Sequence, residues 1–326
     1  MRSVLIELGP WSPLALPLVW GAVLAFVLLW QLLENRQSGQ KLIARDLLAS
    51  AGISLVAALV LYVLVNRYAP VSIKAYGVMM LVGYTVAAIW MYHAARQDHL
   101  TVSAVIDMAL LALLGGIVGG RVLYVILSHE EFTSWQQIFD LWSGGLSFHG
   151  GVIGGFVALW LYARHQGYRL TFIMDLFAMN IPIAYGFARI GCFLNGCCHG
   201  SPSDLPWAVV FPPGGACTLP GEHLHPTQLY ATLLSWCIFG ILVWLRPRMR
   251  REGHLFLAFL MLYSVMRFGL EFTRAGVSAE YVVPGGWLTV AQLASICIFA
   301  AAAIWMALTT PRVKREEAAA NDTRPG

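Results

Sequence analysis

Nine stretches of this chain stay apolar for about 20 residues each, and nothing else in the sequence constrains the fold as tightly. They run over 13–33, 47–65, 76–95, 104–127, 148–164, 172–190, 227–245, 254–272 and 288–308. A bilayer core about 30 Å thick takes roughly 20 residues of helix, and lipid offers the backbone no hydrogen-bond partners, so runs of this length must be helical. The chain is 58% hydrophobic and only 12% charged, about half the charge usual in soluble domains. We therefore expect an all-α polytopic membrane protein, a bundle of about nine transmembrane helices with no separate soluble domain. The first run exceeds 20 residues and only Arg2 precedes it as a basic flank, the pattern of a retained anchor rather than a cleaved signal.

Lys and Arg in the loops set the orientation. With the N-terminus outside, the inner loops and tail hold fourteen of the 21 basic residues and the outer segments four. The outer loops 128–147 and 191–226 contain none. The N-terminus is thus expected outside and the C-terminus in the cytoplasm. The basic run Arg246–Arg251 faces anionic lipid in this arrangement, and no nucleic-acid partner is expected.

The three remaining basic residues, Arg121, Arg189 and Arg267, lie inside apolar runs. A charge at the centre of a membrane helix costs about 2.5–3.5 kcal/mol on insertion scales, so it normally faces a protein interior and marks a site. Threaded through the expected topology, all three fall in the outer half of the membrane. So do Tyr76, His149, and the helical series Tyr263, Arg267, Glu271, whose spacing of four puts them on one face. Each also has a plainer reading: Arg267–Glu271 as a structural ion pair, Arg189 snorkelling to the interface, Tyr76 in the aromatic belt. Their coincidence on one side of one membrane favours a shared pocket for an anionic group such as a phosphate.

Two further stretches flank that pocket. Gly144 to Gly155, GGLSFHGGVIGG, removes side chains around His149 and lets another helix or a ligand approach the backbone. Asn195 to Pro202, NGCCHGSP, interrupts the chain just after Arg189. Irregular backbone at membrane depth must line protein or water, so Cys192, Asn195, Cys197, Cys198 and His199 are expected to edge the cavity. Cys217 can bridge Cys197 or Cys198 across the outer loop, Cys197 and Cys198 can cycle redox state, or the group can bind metal. The C-x4-C-C-H spacing is not a usual zinc pattern.

AYGVMMLVGY (75–84), GGRVLYVI (119–126), GGLSFHGG (144–151), IPIAYGFARIG (181–191), HPTQLY (225–230), YSVMRFGLEFTRA (263–275) and LTVAQL (288–293) together resemble bacterial prolipoprotein diacylglyceryl transferases. The resemblance covers residues 72–310. It implies a seven-helix core over 71–310, preceded by a two-helix extension over 1–70 and followed by a basic, then polar cytoplasmic tail over 311–326. It also implies an enzyme of the cytoplasmic (inner) membrane, its active site facing the outer leaflet. Such an enzyme moves diacylglyceryl from phosphatidylglycerol to the lipobox cysteine thiol of prolipoproteins. Position by position, Tyr76, Gly144, His149, Gly150, Arg189, Gly200, Tyr263, Arg267 and Glu271 fall on residues the family uses, and Arg189 matches its phosphatidylglycerol-binding arginine.

The residues suit that chemistry. Arginine offers phosphate a fixed, permanently charged fork, and only a few per cent of an ordinary thiol is ionised at neutral pH. We assign Arg189 and Arg121 to lipid binding with Tyr76, Gly144, Gly150 and Gly200. His149, Arg267, Glu271 and Tyr263 are assigned to catalysis, with no metal or other cofactor required. The sequence departs from the family where Asn-Phe-x-Asn-Gly-Glu usually follows Arg-Ile-Gly: Cys192 replaces the amide and Cys197 the carboxylate; after HPTQLY, Ala231 stands where a Glu is common. Two other readings therefore stand, a divergent relative acting on another thiol, and a non-catalytic lipid-binding or thiol-redox protein on the same scaffold.

Overall fold

The computed structural model describes residues 71–322 except 98–99, 133, 141–143, 214–215, 250, 275–280 and 283–285, together with Val4–Leu8 and scattered positions between 17 and 66. The expected spans 13–33 and 47–65 lie largely outside the described residues. The chain forms two compact units, Arg2–Gly77 and Val78–Gly326.

In the first unit, strand β1 (Val4–Leu8) pairs antiparallel with β2 (Val71–Lys74). This is a departure from the all-helical expectation. The second unit contains α1 (Ala75–Gln97, which begins just inside the first), α2 (Val102–Leu127), a single-turn α3 (Trp135–Ile138) and α4 (Phe148–Gln166). These are followed by α5 (Leu170–Asn195), α6 (Thr227–Leu245), α7 (His254–Glu271) and α8 (Val290–Asp322). Between α5 and α6 the connecting loop folds on itself through a two-residue ladder, β3 (Val209–Val210) with β4 (His223–Leu224).

Among the described residues, six helices are long and apolar enough to cross a membrane, α1, α2, α5, α6, α7 and α8. The chain is thus a multi-pass membrane protein. The expected span 148–164 corresponds to α4, whose 19 residues begin with Phe148-His149 and carry Arg164 and His165 in the last turn. Those polar ends keep it out of the strongly apolar set. Helix ends follow local chemistry. The Thr101 side chain accepts the Ala104 N–H to start α2, Gly167 (φ 75°) closes α4 and Gly196 (φ 79°) closes α5, the left-handed stop that glycine adopts without strain. Asp175 reaches from α5 to accept the backbone N–H groups of Gly253 and Phe256, at 2.6 and 2.8 Å, capping the start of α7.

Leu110, Leu114, Val118, Val122 and Ile126, spaced by four along α2, are all exposed, as a lipid-facing stripe should be. Lipid tails are as apolar as these side chains, so burial against protein gives no hydrophobic gain, and close packing with polar bonds must hold the helices instead. The seam between α2 and α4 shows how. A Cβ on Gly119 would sit 2.4 Å from the Gly150 carbonyl oxygen, and one on Gly154 would sit 2.2 Å from that of Gly115. Two glycine pairs, each spaced by four, thus bring backbone against backbone. Helices α5 and α6 meet through hydroxyls instead. Ser235 donates to the Pro182 carbonyl at 2.6 Å and Thr232 to that of Gly186 at 3.1 Å.

Candidate active site

Arg189 lies two turns before the end of α5 and Arg267 one turn before the end of α7, and the structure brings them to one cluster. The Arg189 guanidinium rests over the Tyr185 ring, 4.7 Å from its centroid. Tyr185 meets Tyr263 of α7 edge-on at 6.0 Å, and the charges of both arginines act on the Tyr263 hydroxyl. Arg267 forms an ion pair with Glu271, whose side chain is 3% exposed against 24% for the arginine. Burial on one side fixes the pair, while the guanidinium keeps an open flank. Tyr185 is absent from the expected set, although its place one turn before Arg189 was a legible signal.

The three arginines expected on phosphate differ in how far their donors are committed. Arg121 is 8% exposed. Its Nε donates to the Ile138 carbonyl, Nη1 to those of Gly144 and Gly145, and Nη2 to those of Gln137 and Asp140, at 2.5–2.9 Å. All five N–H groups are taken, and Tyr124 and Phe132 pack on the guanidinium at 5.7 and 5.5 Å. Arg121 therefore holds the loop between α2 and α4 and has no donor left for a headgroup, which corrects its place among the lipid ligands. Gly144 takes part through its carbonyl, with φ 93°. Arg189, by contrast, has no carboxylate or carbonyl partner among the described residues. Its titratable neighbours are the Tyr185 hydroxyl and the thiols of Cys192 and Cys198.

The SFHGG segment is a helix start. The Ser147 side chain accepts the Gly150 N–H and its own N–H bonds the Gly120 carbonyl at 2.9 Å. That sets His149 in the first turn of α4, where it is exposed and meets Phe148 edge-on at 5.8 Å. Gly150 is buried against Gly119, so packing alone explains the glycine. Gly200 is likewise enclosed. A Cβ there would lie 2.4 Å from both the Thr227 hydroxyl and the Thr273 carbonyl oxygen. Its role is to let the 198–201 backbone dock against the ends of α6 and α7. Tyr76, in the first turn of α1, is 40% exposed.

The segment after Arg189 has a definite shape. The Sγ atoms of Cys192, Cys197 and Cys198 all lie within 4.8 Å of one another. Cys192 is buried, Cys197 half-buried and Cys198 exposed. Cys198 is the only non-glycine residue with positive φ among the described residues, at 61°, a conformation costing about 1–2 kcal/mol. It turns the Cys198 thiol back toward the other two. The neighbouring thiols of Cys192 and Cys197, with the charges of Arg189 and Arg274, hold the Cys198 thiol below the ordinary range against the opposing effect of burial, while the Cys197 thiol itself donates to the Cys192 carbonyl at 3.7 Å. Gln228, 1% exposed, donates to the Cys197 carbonyl at 2.8 Å and locks the turn. It belongs to HPTQLY but is missing from the expected site, since nothing in the sequence says what an amide there would reach.

His199 stands apart from the thiols. One ring nitrogen bonds the Gly200 carbonyl at 2.9 Å, and the other is engaged by the Thr218 hydroxyl at 2.9 Å and its N–H. Both nitrogens are committed to holding the loop between α5 and α6. The Asn195 carbonyl accepts the Ala216 N–H at 3.3 Å in the same loop. All six cysteines are unpaired, so Cys217 is not bridged to Cys197 or Cys198.

Residues 63–308 match the prolipoprotein diacylglyceryl transferase family. The chain belongs to that family. Among curated relatives, the phosphatidylglycerol--prolipoprotein diacylglyceryl transferase of Bordetella avium (strain 197N) is 36% identical over 77% of this chain and 95% of its own length. The enzyme of the same name from Chromohalobacter salexigens is 36% identical over 70% and 84%. That of Methylococcus capsulatus is 35% identical over 69% and 87%. Cys192 and Cys197, two of the positions where the sequence departs from the family pattern, both lie in the three-thiol turn next to Arg189.

Proposed function

We propose that this protein transfers the diacylglyceryl group of phosphatidylglycerol to the lipobox cysteine thiol of prolipoproteins, forming a thioether and releasing glycerol phosphate. The observation that carries the reading is the Arg189 guanidinium, free of carboxylate and carbonyl partners among the described residues and set near Tyr263 and the Arg267–Glu271 pair. Transfer breaks the bond between a glycerol carbon and phosphate oxygen, so the departing phosphate must be met by positive charge. Two guanidinium groups do that, and one unit charge at 4 Å is worth about 4 kcal/mol at an effective dielectric of 20. Glu271 orients Arg267. The acceptor thiol loses its proton to a base, for which we propose His149, exposed at the start of α4. The thiolate attacks the glycerol carbon, the carbon–sulfur bond forms and glycerol phosphate leaves with the bonding pair. Tyr76 is proposed as a lipid contact, with Gly144, Gly150 and Gly200 shaping the backbone around the site.

The reaction faces the outer leaflet of the bacterial cytoplasmic membrane in this proposal. Its support is the loop charge, fourteen basic residues inside against four outside. The β1–β2 pairing is consistent with two crossings in the extension over 1–70, since antiparallel strands return the chain to the side it left. Nine helices, with the N-terminus outside and the core over 71–310, complete the proposed arrangement.

Complementation of a strain depleted of its own transferase tests the reading, together with transfer from labelled phosphatidylglycerol to a lipobox peptide. Arg189→Ala should reduce transfer at least 100-fold and His149→Ala should reduce it also. Full activity of the Arg189 variant would reject the phosphate assignment. A second reading, transfer to a different thiol, draws on the cysteines at positions 192 and 197; it predicts no rescue of the strain but labelling of other thiols.

A further inference from the structure

We propose that Cys192, Cys197 and Cys198 form a three-thiolate binding site for a thiophilic divalent cation of the zinc class, with a fourth position open to an incoming thiol. The second half of this statement rests on the proposed transfer; the first half does not.

The geometry is that of a prepared site. Zinc bonds thiolate sulfur at about 2.3 Å, which sets sulfurs of a tetrahedral site about 3.8 Å apart. The three Sγ atoms here, mutually within 4.8 Å, need only small rotamer adjustments. Three features hold them together. Gly196 ends α5 and turns the chain, Cys198 adopts the left-handed backbone, and Gln228 ties down the Cys197 carbonyl. Non-glycine residues in that backbone region persist where the surroundings enforce them, and they gather at functional sites.

Charge and access agree. A divalent cation on three thiolates carries a net charge of −1, and Arg189, which lacks a carboxylate partner among the described residues, lies next to it as counter-ion. Cys192 closes the inner side of the cluster while Cys198 is exposed. The set is therefore open on one side, as in zinc sites that keep a position for substrate. His199 lies next in sequence but both its nitrogens are engaged, so it does not close the fourth position. A thiol entering there would give its proton to the base proposed above and remain bound as thiolate. Attack on the glycerol carbon would then form the carbon–sulfur bond and expel glycerol phosphate beside Arg189, with the cation unchanged.

The test uses the full chain in detergent and the metal alone as probe. One zinc per chain should remain after exchange into metal-free buffer, and cobalt in its place should give a thiolate charge-transfer band. Zinc should protect three cysteines from maleimide. Cys198→Ser, at an exposed position, should lower zinc affinity at least 100-fold, while Cys237→Ser, outside the cluster, should leave it unchanged. A lipobox peptide should shift the cobalt spectrum and its Cys→Ser version should not. Absence of bound zinc, with all six thiols freely alkylated or two lost to a disulfide, would overturn the site even if transfer proceeds. Bound zinc with no peptide-dependent shift would overturn the open position. Bound zinc with a shift but no transfer would uphold the site and reject the enzymatic reading alone.

Discussion

Gly154→Ala is the smallest change that tests whether backbone contact between α2 and α4 positions the site. The new Cβ would lie 2.2 Å from the Gly115 carbonyl oxygen and 2.7 Å from the Gly119 Cα. Ordinary contact begins near 3.4 Å, so α4 must retreat by about 1 Å. Both obstructing atoms are backbone, and no side chain can swing aside. Overpacking of this kind costs about 1–3 kcal/mol, and lipid returns nothing hydrophobic to offset it. The retreat also strains the bond from the Ser147 N–H to the Gly120 carbonyl, which sets the first turn of α4 and hence His149. A displacement of 1 Å at a reacting group can cost on the order of 100-fold in rate. Gly151→Ala is the internal control, because its Cβ would meet only the Gly116 carbonyl oxygen at 3.4 Å. Thermal unfolding in detergent and transfer to a lipobox peptide should show Gly154→Ala melting several degrees lower with activity down 10- to 100-fold. Gly151→Ala should stay near wild type in both. Equal behaviour of the two variants would refute the argument that contact at this seam holds the site.

Three further outcomes are expected. Arg121→Lys leaves at most three donors for five carbonyls, losing at least two charge-assisted bonds worth about 1.5–3 kcal/mol each. Amide exchange over residues 134–147 should accelerate accordingly. Glu271→Gln strips Arg267 of its counter-charge and should destabilise the protein by about 2–3 kcal/mol, below the full cost of breaking a buried pair because Arg267 is partly exposed; chemical denaturation reads this. Because the Cys198 thiol is shifted down, its thiolate persists as pH falls. In metal-free protein its alkylation rate should therefore barely change from pH 8 to 6, while a free cysteine peptide slows on the order of 100-fold.

The sequence was most informative where one physical rule governs many residues. Apolar runs located α1, α2, α5, α6, α7 and the apolar span Val290–Thr310 of α8 to within about five residues, because lipid leaves the backbone a single solution; the polar continuation of α8 to Asp322 lies beyond the run. The spacing of Tyr263, Arg267 and Glu271 put them on one face for the same reason. Arg121 and Arg189 were indistinguishable, since both are single arginines in apolar helices; what separates them is a loop whose carbonyls converge on one and not the other. Gly150 and Gly200 read as ligand contacts because a missing side chain looks the same from outside, whether it admits a lipid or another backbone. The three-thiol turn was visible as composition but not as shape. Nothing in the order Cys-Phe-Leu-Asn-Gly-Cys-Cys announces a left-handed Cys198 folding the last sulfur back on the first.

Arg121 grips main-chain oxygens only, and main chain is the same whatever residue supplies it. The segment between α2 and α4 that it anchors can therefore exchange Trp135, Phe139 or Leu146, all exposed to their surroundings, without losing its anchor. A surface free to mutate on a fixed frame can change its side-chain chemistry while its backbone keeps its place.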